Sequence, residues 1–137
     1  MHLSVRSHLI TLITQKKGNA VIKLVIPMKR RPGMSIEEFR EYYESNHRLI
    51  GEKYLKGYVT KYMRRFVNPL PDRNGELYDP EYDVILEIWY PDEETFKACG
   101  AHLSRPDIAA EIRADEEKLF DMRSMRSYLV DEVVSEF

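Results

Sequence analysis

The chain has 137 residues, the length of one domain at roughly 100 to 200 residues each, and its 21 Lys and Arg against 23 Asp and Glu leave a formal charge of -2. That balance gives no field for nucleic acid or an anionic membrane, while 43% hydrophobic and 32% charged residues do not suit a disordered chain. The single Cys99 excludes an intramolecular disulfide and a Cys-rich zinc site, and no apolar run nears the roughly 18 residues that span a bilayer, so a soluble, cytoplasmic protein is expected.

Residues 1–19 carry a short apolar stretch broken by Ser, Thr and Gln, unlike a secretory signal. They are read as an N-terminal extension, poorly ordered or a product of start-site choice, with His2 and His8 solvated. Patterning begins at Ala20, and residues 20–137 are read as one domain. From Ala20 to Met28, Ile22, Leu24 and Ile26 alternate with Val21, Lys23 and Val25, the nearly all-apolar pattern of a central strand. Pro32-Gly33 breaks it. Ser35-Ile36-Glu37-Glu38 is a capping box that opens a helix, and Phe39, Tyr43, His47 and Ile50 follow at spacings of four, four and three, placing them on one inward face with Tyr42 and Asn46 at its margin.

YVTKYMRRFV predicts a second strand, with Tyr58, Thr60, Tyr62, Arg64 and Phe66 on one side and Val59, Lys61, Met63 and Arg65 on the other. The Pro-rich NPLPDRNGELYDPE reads as a surface loop. YDVILEIWY is a third, central strand, with Tyr82, Val84, Leu86, Ile88 and Tyr90 opposite Asp83, Ile85, Glu87 and Trp89. Pro91-Asp92 opens a helix with Phe96, Cys99 and Leu103, Ser104–Asp107 caps another with Ile108, Ile112 and Leu119, and RSMRSYLVDEVV returns to alternation. The order βαββαβ predicts an α+β, ferredoxin-like domain, a four-stranded antiparallel sheet with helices on one face. The other face would carry Val21, Val25, Val59, Met63, Ile85, Trp89 and Val130 among charged residues, a patch that a second copy would cover as a homodimer.

VIKLVIPMKRRPGMSIEEFREYYESNH resembles the opening of the EthD domain family of the dimeric α+β barrel superfamily, and the likeness runs to about residue 132 through YDVILEIWYPDEETFKAC and LSRPDIAAEIRADEEKLFD. The resemblance implies a homodimer whose two sheets close a barrel, and a small pocket between sheet and helices in each subunit. It also implies a range of chemistry: degradation of ethers and aromatics, or cofactor-free cyclase, dehydratase or decarboxylase reactions.

His47 is the candidate catalytic residue, because an imidazole titrates near neutrality and can shuttle protons when one nitrogen is held; the same position also suits a core or capping His. Tyr43, Tyr58 and Tyr62 are candidates to line the pocket and polarise an oxygen, with Tyr82 and Tyr90 nearby, although a Tyr-rich sheet under helices would look the same. Phe39 would close the pocket, and Arg64 either anchors a carboxylate or pairs with surface acids. Lys29-Arg30-Arg31 reads as a solvated turn and RADEEKLFD as a charged helical face, while Asp83 and Glu87 read as ion-pair partners of Lys23, Lys61 and Arg65. Trp89 and His102 lack the first-strand Asn that heme-degrading barrel relatives use, and no metal-ligand spacing occurs in the patterned region. The expected function is therefore a cofactor-free, metal-free proton transfer of lyase, dehydratase or cyclase type on a small aromatic or polyketide-like molecule in aromatic catabolism or secondary metabolism. The alternative is a non-catalytic accessory or ligand-binding protein.

Overall fold

The structure, a computed structural model, describes residues 20–137, so the expected extension and its two histidines lie outside the described residues. The elements are β1 (Ile22–Met28), α1 (Ile36–Tyr42), a π-helical segment (Tyr43–His47), α2 (Arg48–Leu55), β2 (Lys61–Phe66), β3 (Val84–Tyr90), α3 (Glu93–Leu103), α4 (Pro106–Glu116), a 3-10 turn (Met122–Ser124) and β4 (Tyr128–Leu129). The four strands form one antiparallel sheet in the order β2-β3-β1-β4. This is the expected α+β, ferredoxin-like arrangement, an open sheet with the long-range β1–β3 pairing at its centre, Ile22 opposite Tyr90 and Met28 opposite Val84.

Strand alternation decides where the core lies. Val84, Leu86, Ile88 and Tyr90 of β3 are buried toward the helices. At one end they meet Met28, Phe39, Tyr43, Leu119 and Phe120, and at the other Ile22, Leu55 and Cys99. Phe39 and Tyr43 are fully buried and stack edge-on against Phe66 and Phe120. On the opposite face Val25, Met63, Ile85 and Trp89 belong to neither cluster. There the Lys23 and Lys61 ammonium groups lie 3.9 and 4.3 Å from the Trp89 ring, and Glu87 accepts from the indole N–H while pairing with Arg65.

Several local expectations are corrected. The second strand begins at Lys61 rather than Tyr58: Gly57 takes a left-handed φ of 89° that ends α2, and the amides of Tyr58 and Val59 fold back on the Leu55 carbonyl. Val59 consequently packs in the helix-side cluster and leaves the open face. Asp83 leaves that face too. It is buried beside Arg30, with Nη1 to Oδ1 at 2.6 Å, and within 3.3 Å of Lys29, while Asp79 binds both cations. The basic run is thus the clamp that anchors the loop over residues 67–83, not a solvated turn. Arg105, with no side-chain cap bond, precedes α4, which ends at Glu116 before Leu119, and the closing alternation yields only two strand residues.

Candidate functional site

The capping box forms as the sequence predicts, with the Glu38 amide donating to Ser35 Oγ at 3.1 Å and the Ser35 amide to the Glu38 carboxylate at 3.4 Å. The helix it starts does not stay α-helical. At Tyr43–His47 it widens into a π turn, a feature that favours functional positions because it re-aims side chains within an otherwise regular helix. Tyr43 and His47 both remain inward, their rings edge-on at 5.1 Å, and His47 also meets Phe120 at 5.4 Å.

A cavity of about 110 Å³ lies between the helices and the sheet. Its wall is made by His47, by Ile50, Gly51, Tyr54 and Leu55 of α2, by Tyr62, Leu86 and Ile88 of the sheet, and by Leu103 and Ile112 of α3 and α4. His47 Nδ1 lies 2.7 Å from Asp115 Oδ2, and the Tyr42 hydroxyl donates to the other oxygen, Oδ1, at 2.5 Å. A carboxylate only accepts, so Nδ1 carries the hydrogen and the neutral ring keeps Nε2 as an acceptor. Burial pushes the His47 pKa down, and the bond to Asp115 and its charge act against that shift. Burial first, and then Asp115, push the Tyr42 phenol up to about 12.

Tyr62 and Tyr54 are the two phenols of the cavity wall. Tyr62 Oη lies 3.0 Å from Tyr43 Oη, and burial raises both groups. Gly51 permits this packing: a Cβ there would lie 2.8 Å from Tyr62 Oη, so only a residue without a side chain lets the ring rest on the α2 backbone. Tyr54 donates a hydrogen bond to Glu111, which also pairs with Lys53 at 3.6 Å, so these contacts tie α2 to α4 beside the cavity.

Of the residues expected from sequence, His47 and Tyr62 line the cavity and Tyr43 stands directly behind Tyr62. Three expected lining residues lie elsewhere. Phe39 is a fully buried core residue and does not close the cavity. Tyr58, displaced by Gly57, stacks on His102 at 4.9 Å. Arg64 gives a two-pronged ion pair to Glu44 at 2.9 and 3.0 Å, which turns its guanidinium from the cavity. Tyr90 packs on Phe96 in the second cluster, and Tyr82 precedes β3, so neither completes a ring of phenols around His47. The partner of His47 is Asp115, which sequence analysis reads only as part of a charged helical face. Asp115 was hidden within RADEEKLFD, and the only signal for it is the four-residue spacing of Ile108, Ile112 and Glu116, which puts position 115 next to the inward stripe.

An open ferredoxin-like sheet with a buried, carboxylate-held histidine in the wall of a small apolar cavity defines an α+β domain with a candidate site between sheet and helices. Residues 31–123 match the model of the EthD domain, and the chain belongs to the EthD domain family. Solved structures agree on the fold. An EthD-like protein from Ralstonia eutropha JMP134 superposes with a TM-score of 0.59 at 19% identity, covering 89% of this chain and 97% of that one. An ethyl tert-butyl ether D family protein from Bacillus halodurans C-125 gives 0.57 at 16% identity, covering 83% and 100%. SnoaB of Streptomyces nogalater, a cofactor-independent oxygenase, gives 0.50 at 9% identity, covering 84% and 95%. A curated relative, elongation factor Ts of Streptomyces avermitilis, is 26% identical over 120 residues, a match of 76% of this chain and 39% of that protein. The chain thus spans well under half the length of that relative. Among the described residues no helix is long and apolar enough to cross a membrane, and no group of three or more His, Cys, Asp or Glu gathers to hold a metal ion.

Proposed function

We propose that this EthD domain binds a small aromatic or polyketide-like molecule in the cavity beside His47 and moves a proton on it without a cofactor, as a lyase, dehydratase or cyclase. The observation that carries this reading is the pairing of His47 with Asp115 in the cavity wall. With Nδ1–H fixed on a carboxylate, Nε2 is the base; it takes a proton from the bound molecule, Asp115 stabilises the imidazolium that forms, and the ring returns the proton to a second atom. The Tyr62 hydroxyl supports the oxygen on which charge develops. SnoaB offers an analogy at the level of fold for chemistry without a cofactor.

The working unit in this reading is a homodimer. Val25, Met63, Ile85 and Trp89 form a strip on the sheet face away from the helices, and a second copy related by a twofold axis covers both strips at once. The second functional reading, an accessory protein that binds without turnover, is favoured by the make-up of the wall, whose lining residues include a single imidazole and no carboxylate, amine or guanidinium.

Assay of the chain with enolisable and hydroxylated ring compounds tests both. The enzyme reading expects His47→Ala to lower turnover by about 10² to 10⁴ with the fold intact. Binding that persists without turnover by the native chain, or an unchanged rate in the variant, overturns it in favour of the accessory reading.

A further inference from the structure

The lining of the cavity specifies its occupant more narrowly than the family does. We infer that it takes an uncharged, single-ring molecule bearing a free hydroxyl, bound with that hydroxyl between His47 Nε2 and the Tyr62 phenol. This rests on the reading of the cavity as the binding site and holds whether or not turnover follows.

Charge is the first constraint. Ten residues line the cavity, and apart from His47 they are Gly, Ile, Leu and Tyr. Arg64, the cation that strand alternation places on the same side as Tyr62, is held by both oxygens of Glu44. The side chain of His47 is paired with the Asp115 carboxylate, so it offers no uncommitted charge to an anion. A carboxylate or phosphate placed here would lose its hydration without gaining a partner charge.

Size is the second. An engineered apolar cavity of roughly 150 Å³ accommodates benzene, and the about 110 Å³ here, open on one side, suits one ring and not two fused rings. The contacts of Tyr54 and Lys53 with Glu111 join the helices beside the space and limit its widening.

Hydrogen-bond polarity is the third. Nε2 is an acceptor, because Nδ1 holds the ring hydrogen. Tyr43 is fully buried with Tyr62 as its hydroxyl partner, so the arrangement that satisfies its O–H has Tyr43 donating to Tyr62, which leaves the Tyr62 hydrogen free to donate. A site with one acceptor and one donor matches a hydroxyl, which donates and accepts. An ether or ketone oxygen leaves Nε2 without a hydrogen.

Four probes separate the constraints: phenol, anisole without the O–H, benzoate with a charge, and 1-naphthol with a second ring. Each is titrated into the full chain at pH 7.5 and followed by NMR on the methyl groups of Ile50, Leu103 and Ile112. The expected order has phenol tightest, anisole and 1-naphthol each about tenfold weaker, and benzoate weaker by roughly a hundredfold or more. Gly51→Ala, which drives Tyr62 from its seat, weakens phenol in the same assay while a folded spectrum is retained. Anisole equal to phenol overturns the polarity argument, tighter benzoate overturns the charge argument, and tighter 1-naphthol overturns the size limit. Any of these three overturns the inference and leaves the cavity itself as the binding site. Failure of all four probes to shift the cavity methyls overturns the cavity reading as well.

Discussion

Asp115 and His47 stand 68 residues apart in sequence and meet at 2.7 Å, each side chain about nine-tenths buried. The pair fixes both the tautomer and the basicity of the imidazole. Asp115→Asn removes the charge that opposes the burial effect, so the His47 pKa should fall further, with a loss of about 1 to 3 kcal/mol in stability. Histidine NMR titration measures the first and denaturant unfolding the second. An unmoved pKa would show that the contact carries no electrostatic coupling.

Tyr42 acts on His47 through the same carboxylate. Its hydroxyl shares the charge of Asp115, so Tyr42→Phe concentrates that charge on the imidazole. The His47 pKa should rise, opposite in sign to the Asp115→Asn effect. A shift of equal sign in the two variants would mean that both act only by loosening the fold.

Glu116 gives the fold a pH dependence of its own. Burial, with the negative charges of Asp115 and Glu117 adding to it, pushes its carboxyl from the usual 4.5 up to about 7. A carboxyl whose pKa is raised on folding favours the native state while protonated, and that contribution is complete below the unfolded value and lost as pH rises through the folded one. Stability should therefore decline between about pH 4.5 and about 7 from this group. His47 has the opposite sign, since its lowered pKa costs stability as pH falls below 6.5. Glu116→Gln should flatten the decline toward neutrality and leave the acid-side loss in place, as thermal unfolding across pH would show. A decline of the same slope in the variant removes Glu116 as its source.

The sheet face away from the helices bears on assembly. Met63→Asp places a charge in the strip that a second copy would cover, and should lower the mass measured by light scattering together with the unfolding midpoint. A native chain that runs as a monomer at micromolar concentration, or a variant of unchanged mass, contradicts the proposed dimer.

The succession of elements along the chain and the inward position of Tyr43 and His47 were legible because both depend on periodicity alone. Periods of two and of about four survive in the sequence whatever the tertiary context. The partner of His47 was not legible, because RADEEKLFD offers four acids and amphipathic spacing does not say which one turns in. Arg64 misled for a related reason. Alternation placed it on the pocket side, but Glu44 across the helix captures it, and no local pattern links positions 44 and 64. Tyr58 was legible in principle, since Gly57 before it is a helix stop in a left-handed conformation. Reading the strand one turn late would have removed Tyr58 from the site.

The wide turn at Tyr43–His47 makes the site depend on residue count as much as residue identity. A π turn takes up one residue more than an α turn, and each residue of an α-helix turns the chain by about 100°. Ser45 sits in this turn, exposed, with its side chain directed to neither the core nor the cavity. Replacing it should be silent, whereas deleting it would close the wide turn into an α turn, leaving Ile50, Gly51 and Tyr54 on the cavity side and changing the aim of the residues within Tyr43–His47. The extra residue at this surface position therefore acts on the turn that carries His47 and not on the helix that follows.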